Sequence, residues 1–149
     1  MKIHITLNEP AIEGYFHASP KNLLFDGDYS KLDKYCYVGQ CDEIYAPAFL
    51  DYLEYEKIPN VIASWVSLLR MGGKLIVGGL DSYIVTKLYI SRNIDQNKIN
   101  DLFFGKEFLV KSLNSIQDIK ELLIGLNMSI YTIDVDVPES RFVIEAHKQ

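Results

Sequence analysis

Long apolar runs are missing from this sequence of 149 residues. No uninterrupted apolar stretch approaches the roughly 20 residues that a membrane-spanning helix requires. The amino terminus also lacks the apolar region of a secretory signal. We therefore expect neither a membrane partner nor export, and we predict a cytoplasmic location.

Cysteine and histidine are scarce. The two cysteines, Cys36 and Cys41, have no histidine near them in the sequence. A zinc site needs four ligands, and a disulfide is not expected in a chain without an export signal. The three histidines, His4, His17 and His147, are spread along the chain. The sequence thus predicts no metal site, and it favours buried structural thiols.

Positive charge is also in short supply, because 15 basic residues face 20 acidic ones and the net charge is −5. This balance argues against nucleic acid as a partner, since phosphate backbones are bound mainly through lysine and arginine. Only five prolines and nine glycines occur, whereas 48% of the residues are hydrophobic. Such a composition excludes disordered and collagen-like classes and predicts one folded domain, residues 1–149.

Short strands are predicted in the first half of the chain. Residues 2–7 alternate apolar and polar side chains, which is the period of a strand with one buried face. Proline or a turn sequence follows each predicted strand, including Asp26-Gly27-Asp28 after the third. The four predicted strands cover residues 2–7, 14–18, 23–25 and 42–46.

Helices alternate with strands in the second half. Apolar spacing predicts helices over residues 60–70, 81–92 and 96–104, the last with Asp95 as its N-cap. Asn114 and Gln117 form a capping-box pattern before a fourth helix. Residues 74–80 form a nearly continuous apolar run, which is typical of a strand in a sheet covered on both faces. Residues 129–137 and 141–146 predict an antiparallel hairpin. In the apolar run, the pair Gly78-Gly79 indicates close strand packing and not a phosphate-binding loop, because the dinucleotide fingerprint is incomplete.

This alternation predicts an α/β protein with three layers, a sheet between two layers of helices. In such sheets, ligands bind outside the carboxyl ends of the strands. Side chains that directly follow the predicted strands are therefore the candidates for a site.

One block of the sequence resembles a known family. Asp42-Glu43-Ile44-Tyr45-Ala46, the following segment 49–53 and the block from Trp65 to Leu75 are together similar to the second half of a class I S-adenosylmethionine-dependent methyltransferase. Residues 12–15 and 141–146 extend the resemblance to nearly the whole chain. It implies a Rossmann-like methyltransferase fold with a mostly parallel sheet and a C-terminal antiparallel hairpin.

The resemblance also implies S-adenosylmethionine as cofactor. The family places a glycine-rich loop after the first strand, so that the backbone can approach the cofactor. Here that stretch runs from Thr6 through Asn8 to Pro10 without a glycine. Ser19 stands where the family has an acidic residue that binds the ribose hydroxyls.

Other positions at the strand ends match the family better. Asp28 stands where an acidic residue contacts the adenine amino group, and Tyr29 beside it offers a face for stacking. Ala46 ends the fourth predicted strand and completes the implied cofactor set. For Asp28, capping of its own turn is an equally good interpretation.

Candidate catalytic residues follow the fourth and fifth predicted strands. Asp51 is a candidate general base and Tyr52 a candidate substrate contact, although a solvated helix face explains both. Asp81 is the other acid expected at this edge, and a helix cap is the alternative. Methyl transfer requires little from side chains, since in-line positioning of acceptor and sulfonium supplies most of the acceleration.

Three functions remain open from the sequence. The first is methyl transfer to a small molecule or sugar, with an eroded cofactor site. The second is a non-catalytic binding or scaffold domain whose crevice is filled by Leu7, Glu9 and Pro10, and which forms a homodimer through an exposed apolar helix, residues 84–89 or 99–104. The third is a nucleotide or sugar binder without methyl donor.

Overall fold

A computed structural model of the chain describes residues 1–105 and 110–149. Six strands form one sheet: β1 (Lys2–Ile5), β2 (Phe16–Ala18), β3 (Cys41–Ala46), β4 (Leu69–Leu80), β5 (Met128–Asp136) and β6 (Arg141–Lys148). The four α-helices are α1 (Ile58–Leu68), α2 (Ser82–Ile90), α3 (Gln96–Phe104) and α4 (Ile116–Gly125). Within the described ranges, none of these helices has the length and apolar character needed to cross a membrane.

The strand order is β2-β1-β3-β4-β6-β5. Strand β1 pairs in parallel with β2 and β3, and β3 pairs in parallel with β4. Strand β6 lies between β4 and β5 and is antiparallel to both. The predicted parallel sheet with a C-terminal antiparallel hairpin is confirmed.

One face of the sheet, called here the core face, carries the hydrophobic core. Ile3, Ile44 and Leu75 are neighbours across three strands of this face, and each is completely buried. Helix α1 adds Trp65 to the same core, and helix α4 adds Leu123. The apolar stripes of these two helices therefore set the side on which they pack.

The opposite face, called here the polar face, is covered differently. His4, Tyr45, Ile76 and Glu145 follow one another across four strands, and only His4 is fully buried. Such alternation of buried and half-exposed positions is typical of a sheet packed on one face. Strands β1 and β2 are joined by a loop, residues 6–15, with no helix in it. This connection therefore contributes no helix to the polar face.

The predicted third strand, residues 23–25, does not form. Leu23 is 99% exposed and Leu24 is 78% exposed, so these two apolar side chains have no strand partner to pack against. The backbone turns instead, because Phe25 N donates to the Asn22 carbonyl and Leu24 N donates to the Asn22 side chain. Apolar composition thus predicts a strand where Asn22 supplies the hydrogen bonds of a turn.

Element boundaries also differ, and two of these differences have a clear physical reason. Helix α1 ends at Leu68 and β4 begins directly at Leu69. Arg70 therefore lies in the strand, whereas helical spacing predicts a helix up to this residue. A register shift follows, and Gly72 takes a φ of +74° that favours glycine. The N-cap of α4 is Ser115, which accepts from Asp118 N, and not Asn114.

Candidate functional site

The loop after β1 occupies the edge where the resemblance places a cofactor. Thr6 is buried, and its hydroxyl accepts a hydrogen bond from Glu9 N at 3.0 Å. The Thr6 carbonyl accepts from the Tyr29 hydroxyl at 3.4 Å, and Thr6 N donates to Ala18 O. Asn8 is exposed, and its carbonyl accepts from the Lys21 ammonium. The loop therefore uses its own polar groups internally.

Ser19 follows β2 but does not present a free hydroxyl. Its side chain is completely buried and accepts from Lys21 N at 3.3 Å, while its carbonyl accepts from Asn22 N. These bonds close a turn at the end of β2. The Ser19 hydroxyl therefore stabilises this turn.

Asp28 caps its own turn. Its carboxylate accepts from Ser30 N and from the Ser30 hydroxyl, and these bonds hold the pKa of Asp28 below its ordinary value. The neighbouring Asp26 carboxylate accepts from Asp28 N in the same way. The geometry thus supports the capping interpretation for Asp28.

Tyr29 belongs to an aromatic cluster inside the crevice. Its ring lies 4.5 Å from that of Phe49 and 4.8 Å from that of Phe25. Its carbonyl accepts from the Trp65 indole at 2.7 Å. Burial raises the pKa of Tyr29 to about 12, so the phenol remains a donor toward Thr6. The Tyr29 ring is therefore already engaged with two other aromatic rings.

Ala46 is completely buried at the end of β3, opposite Val77. Behind it the chain passes very close to Gly78, where an added Cβ would lie 2.2 Å from the Pro47 carbonyl. Phe49 N donates to the Gly78 carbonyl at 3.2 Å. The predicted role of Gly78 in close strand packing is confirmed.

Asp51 is the most unusual acid in the described part of the chain. It is completely buried in a 3₁₀ turn, Leu50–Tyr52, directly after β3. Its Oδ1 atom accepts from Arg141 Nη1 at 3.4 Å, whereas Oδ2 has no hydrogen-bond partner among the described residues. Backbone bonds from Lys111 N and Ser112 N to the Asp51 carbonyl hold the turn. A buried carboxylate oxygen without a donor is energetically expensive and marks a position of interest.

Tyr52 lies beside this pair. Burial raises the pKa of the Tyr52 phenol, the Asp51 charge adds to the shift, and Arg141 opposes it. The Tyr52 hydroxyl is therefore protonated at neutral pH. The structure brings two of the three predicted catalytic residues together and adds Arg141, which sequence reasoning missed.

Asp81 lies at the amino-terminal end of helix α2. Its carboxylate accepts from Tyr83 N at 2.9 Å and from Ile84 N at 3.3 Å, which makes it the N-cap of α2. The geometry thus supports the helix-cap interpretation of Asp81.

The sequence signal for Arg141 was weak, because Arg141 stands 90 positions from Asp51 and follows an ordinary turn.

A histidine pair lies on the polar face, beneath the loop after β1. His4 and His17 are register partners with ring centroids 5.2 Å apart, and His4 Nε2 bonds with Glu9 Oε2 at 3.0 Å. Burial, and next the neighbouring His4, lower the pKa of His17. No group of three metal-ligating side chains occurs within residues 1–105 and 110–149, so the pair is not part of a larger cluster there.

S-adenosylmethionine fits this edge poorly. Its methionine and ribose portions require a backbone that they can approach closely, but Thr6 and its loop bond to Glu9 and Tyr29 instead. The ribose requires an acceptor after β2, but Ser19 is buried in a turn. The residues present therefore do not match the set that the family uses.

The comparisons with known proteins place the fold. No family model and no curated protein match the chain. Among solved structures, a methyltransferase from Methanosarcina mazei matches with a TM-score of 0.62 at 16% identity, over 99% of this chain and 82% of its own. A methyltransferase from Archaeoglobus fulgidus matches with a TM-score of 0.57 at 14% identity, over 98% of this chain and 75% of its own.

A third match is magnesium protoporphyrin IX methyltransferase from Synechocystis, solved with bound S-adenosylhomocysteine. It has a TM-score of 0.57 at 18% identity and covers 89% of this chain, but this chain spans only 51% of that enzyme. The chain therefore has the Rossmann-like fold of class I S-adenosylmethionine-dependent methyltransferases, as predicted.

Proposed function

We propose that this methyltransferase-fold chain is a binding domain that does not carry out methyl transfer. The observation that supports this most strongly is the closure of the loop after β1 on itself. The Thr6 carbonyl and hydroxyl, which lie where the backbone would face a cofactor, accept from Tyr29 and Glu9. A cofactor that used these two oxygen atoms would compete with both donors.

Displacement of these bonds has a predictable effect on affinity. Each buried polar group left without its partner costs about 1–3 kcal/mol. Two such groups weaken binding by about two to four powers of ten, since 1.4 kcal/mol is tenfold. The missing acidic side chain after β2 removes a charge-assisted bond to the ribose as well. Cofactor binding at cellular concentrations is therefore not expected.

The crevice filling differs in detail from the sequence hypothesis. That hypothesis assigned the filling to Leu7, Glu9 and Pro10. Glu9 takes part through its backbone and through His4, and the aromatic ring of Tyr29 packs against Phe49. This arrangement supports a domain whose fold serves binding at its surface and not methyl transfer.

A thermal-shift experiment tests the proposal. A bound ligand at 100 times its dissociation constant stabilises a protein by about 2.7 kcal/mol, a shift of several degrees at this size. With millimolar S-adenosylmethionine we expect no shift in the wild type and none in Asp28→Ala. A shift of several degrees that Asp28→Ala abolishes would overturn the proposal.

Methyl transfer to a small molecule or sugar is the second candidate, and Asp51 favours it. A completely buried carboxylate with one unpaired oxygen, beside a protonated Tyr52 hydroxyl, offers an acceptor and a donor at the carboxyl edge of the sheet. An acceptor screen should then show turnover that Asp51→Asn removes and that Asp101→Asn, an exposed carboxylate on α3, leaves intact. Turnover insensitive to both variants would exclude Asp51 as the base.

A further inference from the structure

The two cysteines meet across a tight turn. Cys36 precedes the turn 37–40, in which Gln40 N donates to the Tyr37 carbonyl at 3.1 Å, and Cys41 follows it as the first residue of β3. Such a turn brings its first and last Cα atoms within about 7 Å. Cys36 and Cys41 directly flank these two ends, although five positions separate them in the sequence.

Both cysteines are fixed by the backbone around them. Cys36 N donates to the Leu32 carbonyl at 3.2 Å. Cys41 pairs with Leu69 at the start of β4. The turn itself is anchored on α1, because Gly39 N donates to the Ser67 carbonyl. The distance between the two thiols is thus set by three separate elements.

The thiols are free and buried, and Cys36 is near enough to Cys41 to influence its pKa. Cys36 is 5% exposed and Cys41 is 0% exposed. Burial raises the pKa of the Cys41 thiol to about 12, and the charge of Cys36 and a hydrogen bond with it raise this pKa further. Cys41 is therefore protonated at neutral pH, and a protonated thiol is a poor nucleophile.

Reagents have a route to Cys36. It lines an open cavity of about 560 Å³ that it shares with Met1, Tyr35, Tyr37, Val38 and Gln40. Cys41 is completely buried and does not line this cavity. Cys36 is thus placed to react first with a reagent, and Cys41 to react afterwards with Cys36.

We propose that Cys36 and Cys41 form an oxidisable dithiol that low-molecular-weight disulfides convert into an intramolecular disulfide. The Cys36 thiol loses its proton and attacks glutathione disulfide, whose S–S bond breaks and releases one glutathione thiolate. Cys41 then loses its proton and attacks the Cys36 sulfur of the mixed disulfide, which releases the second glutathione. The protein loses two electrons and two protons, and one glutathione disulfide becomes two glutathione thiols.

Two observations favour this reaction over metal capture. No third histidine, cysteine, aspartate or glutamate joins the pair in the part of the chain that the structure describes. The turn 37–40 also lies directly between the two cysteines, and a disulfide requires about 4.4–6.8 Å between their Cα atoms. Oxidation would tie the segment before the turn covalently to the amino-terminal end of β3.

Mass spectrometry of the intact protein tests the proposal. The folded chain is equilibrated in buffers of increasing glutathione disulfide, then denatured in an alkylating agent. We expect a monomer that is 2 Da lighter than the reduced chain and that takes up no alkyl group, with dithiothreitol restoring two alkylated thiols. Two alkylated thiols at every ratio, or disulfide only between chains, would overturn it.

Matched variants assign the order of the steps. Cys41→Ser should stop at the Cys36–glutathione mixed disulfide, and Cys36→Ser should leave Cys41 reduced at the same glutathione ratio. Circular dichroism verifies that both variants are folded before oxidation. A mixed disulfide that persists in the wild type would contradict the proposal, because Cys41 would then be out of reach of the Cys36 sulfur.

Discussion

At the scale of single residues, the buried carboxylate of Asp51 is the group that depends most on one partner. Arg141, 21% exposed at its side chain, donates to it across the end of the sheet. The remaining Asp51 oxygen has no partner in the described residues. Stability here rests on keeping the guanidinium in place.

Loss of Arg141 should therefore destabilise the protein. Arg141→Met keeps an unbranched apolar stem but leaves the Asp51 charge uncompensated, and we expect a loss of about 1–3 kcal/mol in unfolding free energy. Urea unfolding measures it. The double variant Asp51→Asn/Arg141→Met should lose less than the sum of the two single changes, because the pair acts as a unit. Strict additivity would show that the two side chains do not interact.

The lowered pKa of His17 predicts that the stability of the protein depends on pH. Its pKa is lowered in the folded chain, chiefly by burial and then by His4, while Glu9 opposes the shift and Lys21 adds to it. The unfolded chain thus binds the proton more readily, so stability is fully present above the ordinary pKa of about 6.5 and is lost as the pH falls through the lower folded value.

Chemical unfolding between pH 7.5 and 5 checks this expectation. The wild type should lose stability over that range, and His17→Gln should lose less of it. A steeper loss in the variant than in the wild type would contradict the assignment to His17.

At the scale of elements, the chain passes closer to Gly78 of β4 than to any other described glycine. A Cβ on Gly78 would lie 2.2 Å from the Pro47 carbonyl and 2.3 Å from the Phe142 carbonyl. Both neighbours are backbone atoms and cannot rotate away. This contact fixes the separation of β4 from the loop after β3 and from β6.

Gly78→Ala should consequently unfold much of the protein, with a loss of roughly 3 kcal/mol or more. Gly125→Ala is the matched control, because nothing lies within 4 Å of the added methyl group at the end of α4. Helix propensity predicts that the control is neutral or slightly stabilising. Thermal unfolding of both variants distinguishes them, and equal melting temperatures would contradict the packing argument.

Elements with periodic sequences were predictable. Alternation located β1, β5 and β6, and helical spacing located α1 and α3 within a few residues. Leu23 and Leu24 were mispredicted, because their apolar character carries no information about the Asn22 hydrogen bonds that turn the chain.

The candidate site was less predictable than the fold. Sequence position placed Asp51 and Tyr52 correctly after β3, since strand ends share one edge of a parallel sheet. Arg141 could not be found in this way, because its contact with Asp51 depends on how the hairpin returns to β4. Closure of the Thr6 loop by Tyr29 also depends on packing, for which local sequence carries no signal.

At the scale of the whole molecule, apolar side chains remain on the surface formed by α2 and the β5–β6 hairpin. Tyr83 is 68% exposed and Ile90 is 74% exposed on α2. Beside them, a cavity of about 380 Å³ is lined by Ile84, Leu88, Ile116, Val135 and Val137, with Asp81, Tyr83 and Lys87 around it. Exposed apolar patches of this kind mark interaction sites.

We expect this surface to support the homodimer proposed from the sequence. Light scattering coupled to size-exclusion chromatography should give a dimer mass for the wild type and a monomer mass for Ile90→Asp. Ile124→Asp on α4, a position 53% exposed, is the matched control and should remain dimeric. A monomeric wild type at high micromolar concentration would refute self-association.

The central claim, that a methyltransferase fold is here maintained without its cofactor, is tested most directly by calorimetric titration with S-adenosylhomocysteine. Because the Thr6 loop is closed by Tyr29 and Glu9, and Ser19 is buried, we predict no binding heat at millimolar ligand. Saturable heat with a dissociation constant in the micromolar range would contradict the account. It would then identify this edge of the sheet as a working cofactor site.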